Sequence, residues 1–331
     1  MAIIVTGSSG HLGEALMRTL RARGEPAIGI DIKPSPFTDH VGSVVDRRFV
    51  AECLAGAKTV IHTATLHKPH VATHSNQDFI DTNVTGTLAL LEQAVAAGVS
   101  AFVFTSTTSV FGSALTPKEG EPAAWITEEV QPIAKNIYGV TKLAAETLCE
   151  LFALRRRLPV IVLRTSRFFP EADDDAAIRA GYELANAQAN EFLYRRADIA
   201  DIVDAALLAA ERAPQIGFTR LIVSATTPFS RADLAALRRD APSVIHRLYP
   251  ECAKLYAARG WKLFPSIDRI YVNWRAVTEL GWQPRYDFRH VLNCLAAGED
   301  FRSPLARAVG SKGYHARAFD DGPYPVAPAE A

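Results

Sequence analysis

The amino-acid sequence predicts an α/β chain built on a doubly wound parallel sheet, followed by a smaller, mostly helical C-terminal part. Three observations carry this reading. Short β-branched runs alternate with amphipathic stretches through the first half, the pattern of βαβ units. Strand runs such as Phe102-Val103-Phe104 do not alternate with polar residues, which suits a sheet covered on both faces. The alternation breaks after Arg164, where Pro170 and the acidic stretch 171–175 mark a loop.

Taken in order, residues 3–5 read as a strand, 12–23 as a helix, 27–30 as a strand, 47–53 as a helix and 59–62 as a strand. A long helix is expected over 80–97, a strand over 101–105, a second long helix over 137–156 and a strand over 160–163. Beyond the break, helical material runs to about residue 189, and 199–210 form a helix. Residues 221–223 form a strand that returns to the sheet. Mostly helix follows over 230–259, then a strand over 270–272 and helices over 275–280 and 288–295. Residues 1–165, rejoined by 196–226, are therefore expected to form one domain. Residues 166–195 and 227–300 form the second, and 301–331, with scattered Gly and Pro, an extended tail.

With 331 residues, the chain is long enough for about two domains of ~150 residues. Lys plus Arg and Asp plus Glu number 36 each, so the net charge is zero and no general attraction to nucleic acid or anionic membrane is expected. No apolar run approaches the ~18 residues that a membrane span needs. The N-terminus has no basic region, and its apolar run is too short for a signal peptide. Cys53, Cys149, Cys252 and Cys294 lie far apart with no CxxC, which points to free thiols in a reducing cytoplasm.

Four segments carry chemistry. Thr6-Gly7-Ser8-Ser9-Gly10-His11-Leu12-Gly13 follows a strand and opens a helix. Gly7 permits the tight turn, Gly10 lets backbone approach a pyrophosphate, and Gly13 permits close helix–strand packing. The helix N-terminus offers N–H groups and partial positive charge to phosphates, so the sheet is expected to be of the Rossmann type. Asp31, roughly twenty residues on, suits a ribose 2′-hydroxyl and repels a 2′-phosphate, which favours NAD over NADP. In Tyr138-Gly139-Val140-Thr141-Lys142 the phenol and ammonium share one helix face. A lysine cation there, with the positive charge of an oxidised nicotinamide, is expected to lower the tyrosine pKa and make it a proton-transfer group. Lastly, the buried strand ending in Thr105-Ser106-Thr107-Thr108-Ser109 presents hydroxyls where ligands of open parallel sheets bind.

Together these segments resemble the extended short-chain dehydrogenase/reductases, the NAD-dependent epimerase/dehydratase family. Thr6 to Gly13 is similar to its TGxxGxxG loop and Tyr138 to Lys142 to its YxxxK. Thr105 to Gly112 is similar to its serine-rich strand end, and alignment on Gly112 puts Thr107 at the catalytic Ser/Thr position. Asn83 matches the N-x-x-G-T helix start, and Thr63, Ala64 and Thr65 stand in the segment that lies against the adenosine ribose. Arg196 to Asp201 and Glu279 to Pro284 match C-terminal motifs, so the resemblance extends over residues 1–297.

The resemblance implies a catalytic Thr107, Tyr138 and Lys142. It implies a cofactor site of Gly7, Ser9, Gly10, His11, Leu12, Gly13, Asp31, Ser43, Val44, Thr63, Ala64, Thr65, Asn83, Tyr138 and Lys142. It also implies a homodimer packed through the helices at 80–97 and 137–156. Three positions depart from the nucleotide-sugar epimerase pattern: Ser43 replaces an aspartate, Arg167 an asparagine and His67 a lysine. Arg167 reads either as a fork for a substrate carboxylate or phosphate, or as the partner of Glu171 or of the acidic residues 173–175. With His67, Thr108 and Arg269 it completes the candidate substrate set. His62, His67, His70 and His74 do not have the spacing of a metal site, so no metal is expected. The expected activity is hydride transfer at a secondary alcohol or ketone of a sugar-like, acidic or neutral substrate. The alternatives are a nucleotide-sugar 4-epimerase that retains its NAD and a non-catalytic NAD-sensing scaffold.

Overall fold

The structure, a computed structural model, describes residues 2–313 and 315. Seven parallel strands form the main sheet, in the order His40–Val41, Ala27–Asp31, Ala2–Thr6, Ala57–His62, Ala101–Thr107, Val160–Thr165 and Phe218–Val223. Ala2–Thr6 (β1) leads into His11–Ala22 (α1), then Ala27–Asp31 (β2), His40–Val41 (β3) and Arg47–Leu54 (α2). Ala57–His62 (β4) pairs with β1 on its other side, so the chain order reverses between β1 and β4. That reversal is the switch point at which such sheets open a ligand crevice.

The second half of the sheet begins with Asn76–Phe79 (α3), a π-helical turn over Ile80–Thr85, and Gly86–Ala96 (α4). The expected uninterrupted helix over 80–97 is thus corrected. Ser75 caps the first turn at Asp78, upstream of the apolar run, and the π turn widens the helix before α4 begins. Ala101–Thr107 (β5) and Ala124–Ile126 (β6) follow, then Ile137–Arg156 (α5), which matches the expected span, and Val160–Thr165 (β7). Asn136 starts α5 by accepting from the Gly139 amide, and Arg157 ends it in the left-handed region.

Beyond β7 come Ala176–Gly181 (α6), Leu184–Glu191 (α7), Ile199–Ile216 (α8) and Phe218–Val223 (β8). Leu234–Arg239 (α9), Ala241–Leu248 (α10), Cys252–Ala257 (α11), Arg269–Tyr271 (β9), Trp274–Leu280 (α12) and Phe288–Ala297 (α13) follow. β9, overlapping the strand expected over 270–272, pairs with β6 as a separate two-stranded sheet, and β6 is a strand that alternation in the sequence did not reveal. One face of the main sheet is covered by α1 and α8, the other by α2, α4 and α5. A second core is built from α7, α9, α10, α11 and α13, around Phe192, Leu237, Ile245, Phe288 and Leu292.

The expected extended tail is corrected at its start. Phe301 and Ser303 are buried, and Pro304–Val309 (α14) packs against α1 and α8. Ser303 caps it by accepting from the Ala306 amide at 2.9 Å, and Pro304 stands at the first helical position, where its missing N–H costs nothing. Six residues are too short to show a helical period in the sequence. Residue 314 and residues 316–331 of that expectation lie outside the described residues. No helix among the described residues is long and apolar enough to cross a membrane.

Candidate active site

The glycine turn between β1 and α1 sits at the switch point. Gly7 has φ 71°, in the left-handed region, and a Cβ there would come 2.7 Å from the Ala64 nitrogen. A Cβ on Gly13 would lie 1.9 Å from the Gly7 carbonyl oxygen, so only glycine lets α1 start this close to β1. Gly10 differs: its Cβ would meet only that same oxygen, at 3.3 Å, and its other side faces open space. Gly10, the N-cap residue of α1, has no side chain to accept from the first helical amides. A cradle with an open glycine and an uncapped helix start fits a dinucleotide pyrophosphate.

The walls of this cradle are cross-linked. Asp31, ending β2, accepts from the Ser9 amide at 3.0 Å through one oxygen and from the Lys33 amide at 2.9 Å through the other. Thr6 Oγ1 accepts from the Thr63 and Ala64 amides, each at 3.1 Å, which stitches the end of β4 to β1. Asn83 lies on the π turn and holds the loop after β4: its Oδ1 accepts from the Leu66 amide and Thr65 Oγ1, and its Nδ2 donates to Leu66 O and Thr141 Oγ1. Ser43 Oγ accepts from the Val45 amide at 3.2 Å, and Val44 is buried where a Cβ on Gly86 would touch it. Leu12 is buried behind the turn.

Thr107 ends β5, while Tyr138 and Lys142 stand one turn apart at the start of α5, and all three are buried. The Thr107 side chain acts on the Tyr138 phenol, so the strand end lies close to the helix face. The expected lowering of the tyrosine pKa is not what the protein environment produces. Burial pushes the phenol up to about 12, against the opposing effect of the Thr107 side chain. Burial likewise pulls Lys142 down to about 7, opposed by Cys149 and Glu146, and its Nζ lies 4.1 Å from the centroid of the Phe104 ring. For both groups desolvation is the largest influence, and it disfavours the charged form of each. Thr108 follows in a 3-10 turn and is also buried.

A buried anion escaped the sequence reading. Glu146, one further turn along the Tyr138–Lys142 face, accepts from Ser106 Oγ at 2.5 Å and forms a bidentate pair with Arg164 Nε and Nη2. This ties β5, α5 and β7 together directly beneath Thr107. The i, i+4, i+8 spacing of Tyr138, Lys142 and Glu146 was the signal available in the sequence.

Two of the candidate substrate residues, Arg167 and Arg269, hold ion pairs within the chain. Arg167 is engaged within the chain: Nη1 lies 2.5 Å from Asp173 Oδ2 and 3.2 Å from Glu191 Oε1, and Nη2 lies 3.8 Å from Asp174. Arg195 and Arg196 join the same cluster through Asp173 and Glu191. Arg269, on β9, pairs with Asp268 at 2.8 Å. His67, after β4, is partly buried, and its imidazole is held well below the usual range by desolvation and then by the charges of His70 and His11. His62 is buried between Thr6 Oγ1 and Thr87 Oγ1, at 2.7 and 3.1 Å. Among the described residues no three His, Cys, Asp or Glu side chains are grouped to hold a metal ion.

His11 reaches out of the glycine turn to Glu171 on the loop after β7, 2.9 Å away. Burial works to raise the Glu171 carboxyl, but the hydrogen bond and charge of His11, with Ser311, outweigh it and hold it at about 2. A carboxylate depressed below its ordinary ~4.3 stabilises the fold above that value and loses the contribution as pH falls toward its folded value. Glu171→Gln is expected to cost about 1–2 kcal/mol of stability at pH 7, with the difference shrinking between pH ~4 and ~2. Urea unfolding across that range checks it, and a difference independent of pH would refute it.

A glycine cradle at the switch point of a parallel sheet, with a Tyr-Lys pair beside a hydroxyl-bearing strand end, defines a dinucleotide-type protein of the short-chain dehydrogenase/reductase class. The chain belongs to the NAD dependent epimerase/dehydratase family, whose pattern matches residues 3–217. It is 30% identical over 188 residues to a UDP-glucose 4-epimerase of Rhizobium meliloti, covering 54% of each chain. It is also 35% identical over 118 residues to a 3-beta-hydroxysteroid dehydrogenase of Mycolicibacterium neoaurum, covering 33% of this chain and 32% of that one. The chain spans about half the length of the curated relatives it matches, such as 54% and 49% for two UDP-glucose 4-epimerases. A short-chain dehydrogenase/reductase superfamily protein from Agrobacterium tumefaciens with bound NAD shares the fold, with a TM-score of 0.65 at 24% identity over 93% of this chain and 97% of that one. So does MoeE5 in complex with UDP-glucuronic acid and NAD, with a TM-score of 0.63 at 21% identity over 93% and 99%.

Proposed function

We propose that this protein is an NAD-dependent oxidoreductase or epimerase of the extended short-chain type, acting on a secondary alcohol or ketone of a sugar or nucleotide sugar. The observation that supports it is that Thr107, at the carboxyl end of β5, acts on the buried Tyr138 phenol, with Lys142 buried one turn further along α5. In this reading Gly7, Ser9, Gly10, His11, Leu12 and Gly13 receive the pyrophosphate, and Asp31 the adenosine ribose. Ser43 and Val44 flank the adenine, while Thr63, Ala64, Thr65 and Asn83 border the riboses. When bound, NAD supplies the hydride acceptor and a positively charged ring. Thr107 orients the substrate hydroxyl, Tyr138 takes or returns its proton, and Lys142 holds the ribose and favours the phenolate. NAD is favoured over NADP because Asp31, held in place by the Ser9 and Lys33 amides, puts a carboxyl group where a 2′-phosphate would lie.

Residues 166–195 and 227–300 are assigned the substrate lobe, with His67, Thr108 and Arg269 toward the ligand. The acidic form of the substrate has less support, since Arg167 is engaged by Asp173 and Glu191. A cytoplasmic homodimer is part of the same proposal. Val140, Leu151 and Leu154 leave an exposed apolar face on α5, next to exposed Ile80. A monomer by light scattering at micromolar concentration would remove the dimer.

The deciding experiment offers the purified protein NAD with a panel of uronic acids, aldoses and UDP-sugars while absorbance near 340 nm is followed. A steady rise with one substrate is expected of a net dehydrogenase. Conversion of a UDP-sugar by chromatography, without a rise, identifies an epimerase. No turnover with any of them, in a protein that binds NAD, would favour the non-catalytic reading.

A further inference from the structure

The chain leaving α14 does not turn away from the molecule. Ser311 Oγ donates to Glu171 Oε1 at 2.7 Å. The Lys312 amide is 3.2 Å from both Glu171 Oε1 and His11 Nε2, and Lys312 Nζ pairs with Glu14. Farther on, His315 Nε2 donates to the Pro69 carbonyl at 2.9 Å, and its ring lies 5.4 Å from that of His70. These partners come from three separate walls of the crevice. His11 and Glu14 are the first turn of α1, Pro69 and His70 belong to the loop after β4, and Glu171 to the loop after β7.

We propose that residues 310–313, with the anchored His315, form a strap across the mouth of the dinucleotide site, so that cofactor enters and leaves only when the strap is released. This rests on the dinucleotide reading given above. Two further features fit a part that opens. Gly310 and Gly313 both have φ 61°, a conformation glycine reaches freely, and they bracket Ser311 and Lys312 as hinge points. The anchors are hydrogen bonds and one ion pair, each weak beside the apolar packing of Leu305, Ala306 and Val309, which holds α14 on the core. The strap can therefore lift while α14 stays docked. It also spans the cradle and the substrate-side loop bearing Glu171, so its closure joins the cofactor side of the crevice to the substrate side.

The test is the release rate of NADH from the full chain, read by stopped-flow fluorescence after mixing with excess NAD. A triple variant, Ser311→Ala with Lys312→Ala and His315→Ala, is expected to release NADH about tenfold faster or more, through the loss of several hydrogen bonds. Lys312→Glu, which sets like charge against Glu14 and Glu171, is expected to act in the same direction and gives a second measurement should the triple variant fold poorly. Arg307→Ala, on the exposed side of α14, serves as a control and is expected to release NADH at the wild-type rate. In the unmodified protein, NADH is expected to slow tryptic cleavage after Lys312, followed by mass spectrometry. Wild-type protein that binds no NADH would overturn both this proposal and the dinucleotide reading. Normal binding with unchanged release in both variants would overturn the strap alone, as would cleavage after Lys312 that NADH does not slow.

Discussion

Replacing Tyr138 with phenylalanine is expected to lower turnover by about 10²–10⁴, the range for a positioned acid or base, while dinucleotide binding stays within about twofold. The Tyr138 side chain is buried, and phenylalanine removes one oxygen without opening a cavity, so the fold should tolerate it. Burial holds Tyr138 up at about 12 and Lys142 down at about 7, so in the protein alone the phenol is neutral at working pH. The wild-type rate is therefore expected to rise with pH through the neutral range, as a base mechanism requires, and the residual rate of the variant to lose that slope. Turnover near the wild-type value in Tyr138→Phe, with cofactor still bound, would remove the residue from the mechanism.

Two glycines of the same turn should fail in different ways. A methyl group on Gly13 would fall 1.9 Å from the Gly7 carbonyl oxygen and 2.8 Å from Ser8 Cα, all backbone, so α1 has to move away from β1. Gly13→Ala is expected to cost about 1–3 kcal/mol of stability, the usual penalty for overpacking, and to weaken dinucleotide binding at least tenfold because the cradle itself is displaced. On Gly10 the same methyl meets a single atom at 3.3 Å. Gly10→Ala should keep stability within about 0.5 kcal/mol and lose affinity alone, because the methyl occupies the approach of the pyrophosphate. Thermal unfolding paired with NADH titration separates the two. Equal stability losses in both variants would mean that the open side of Gly10 has no ligand to receive.

Several parts of the site were legible because they depend on local chemistry. A tight turn with positive φ needs glycine at Gly7, and a helix beginning beside a strand needs it at Gly13, so both show as residue types at set spacings. Tyr138 and Lys142 share a helix face by period alone, and α5 itself runs over the expected residues. For Arg167 the sequence offered both a ligand and the acidic residues 173–175, and Asp173 is its partner at 2.5 Å. The second partner, Glu191, was not legible, since it stands 24 positions away and meets Arg167 only after α7 folds back. Nor was the partnership of Glu146 with Ser106 and Arg164, three residues from three different elements.

The sequence by itself determined the alternation of strands and helices, the glycine cradle and the hydroxyl-tyrosine-lysine set, since periodicity, turn conformation and helical spacing act over a few residues. Tertiary structure alone decided the rest. It inserted the π turn that aims Asn83 at the loop after β4, closed Arg167 into a carboxylate cluster, and docked α14 where an extended tail was expected. It also set the balance of desolvation and charge at Tyr138 and Lys142. Burial and long-range pairing depend on which distant segments meet, and no local pattern records that.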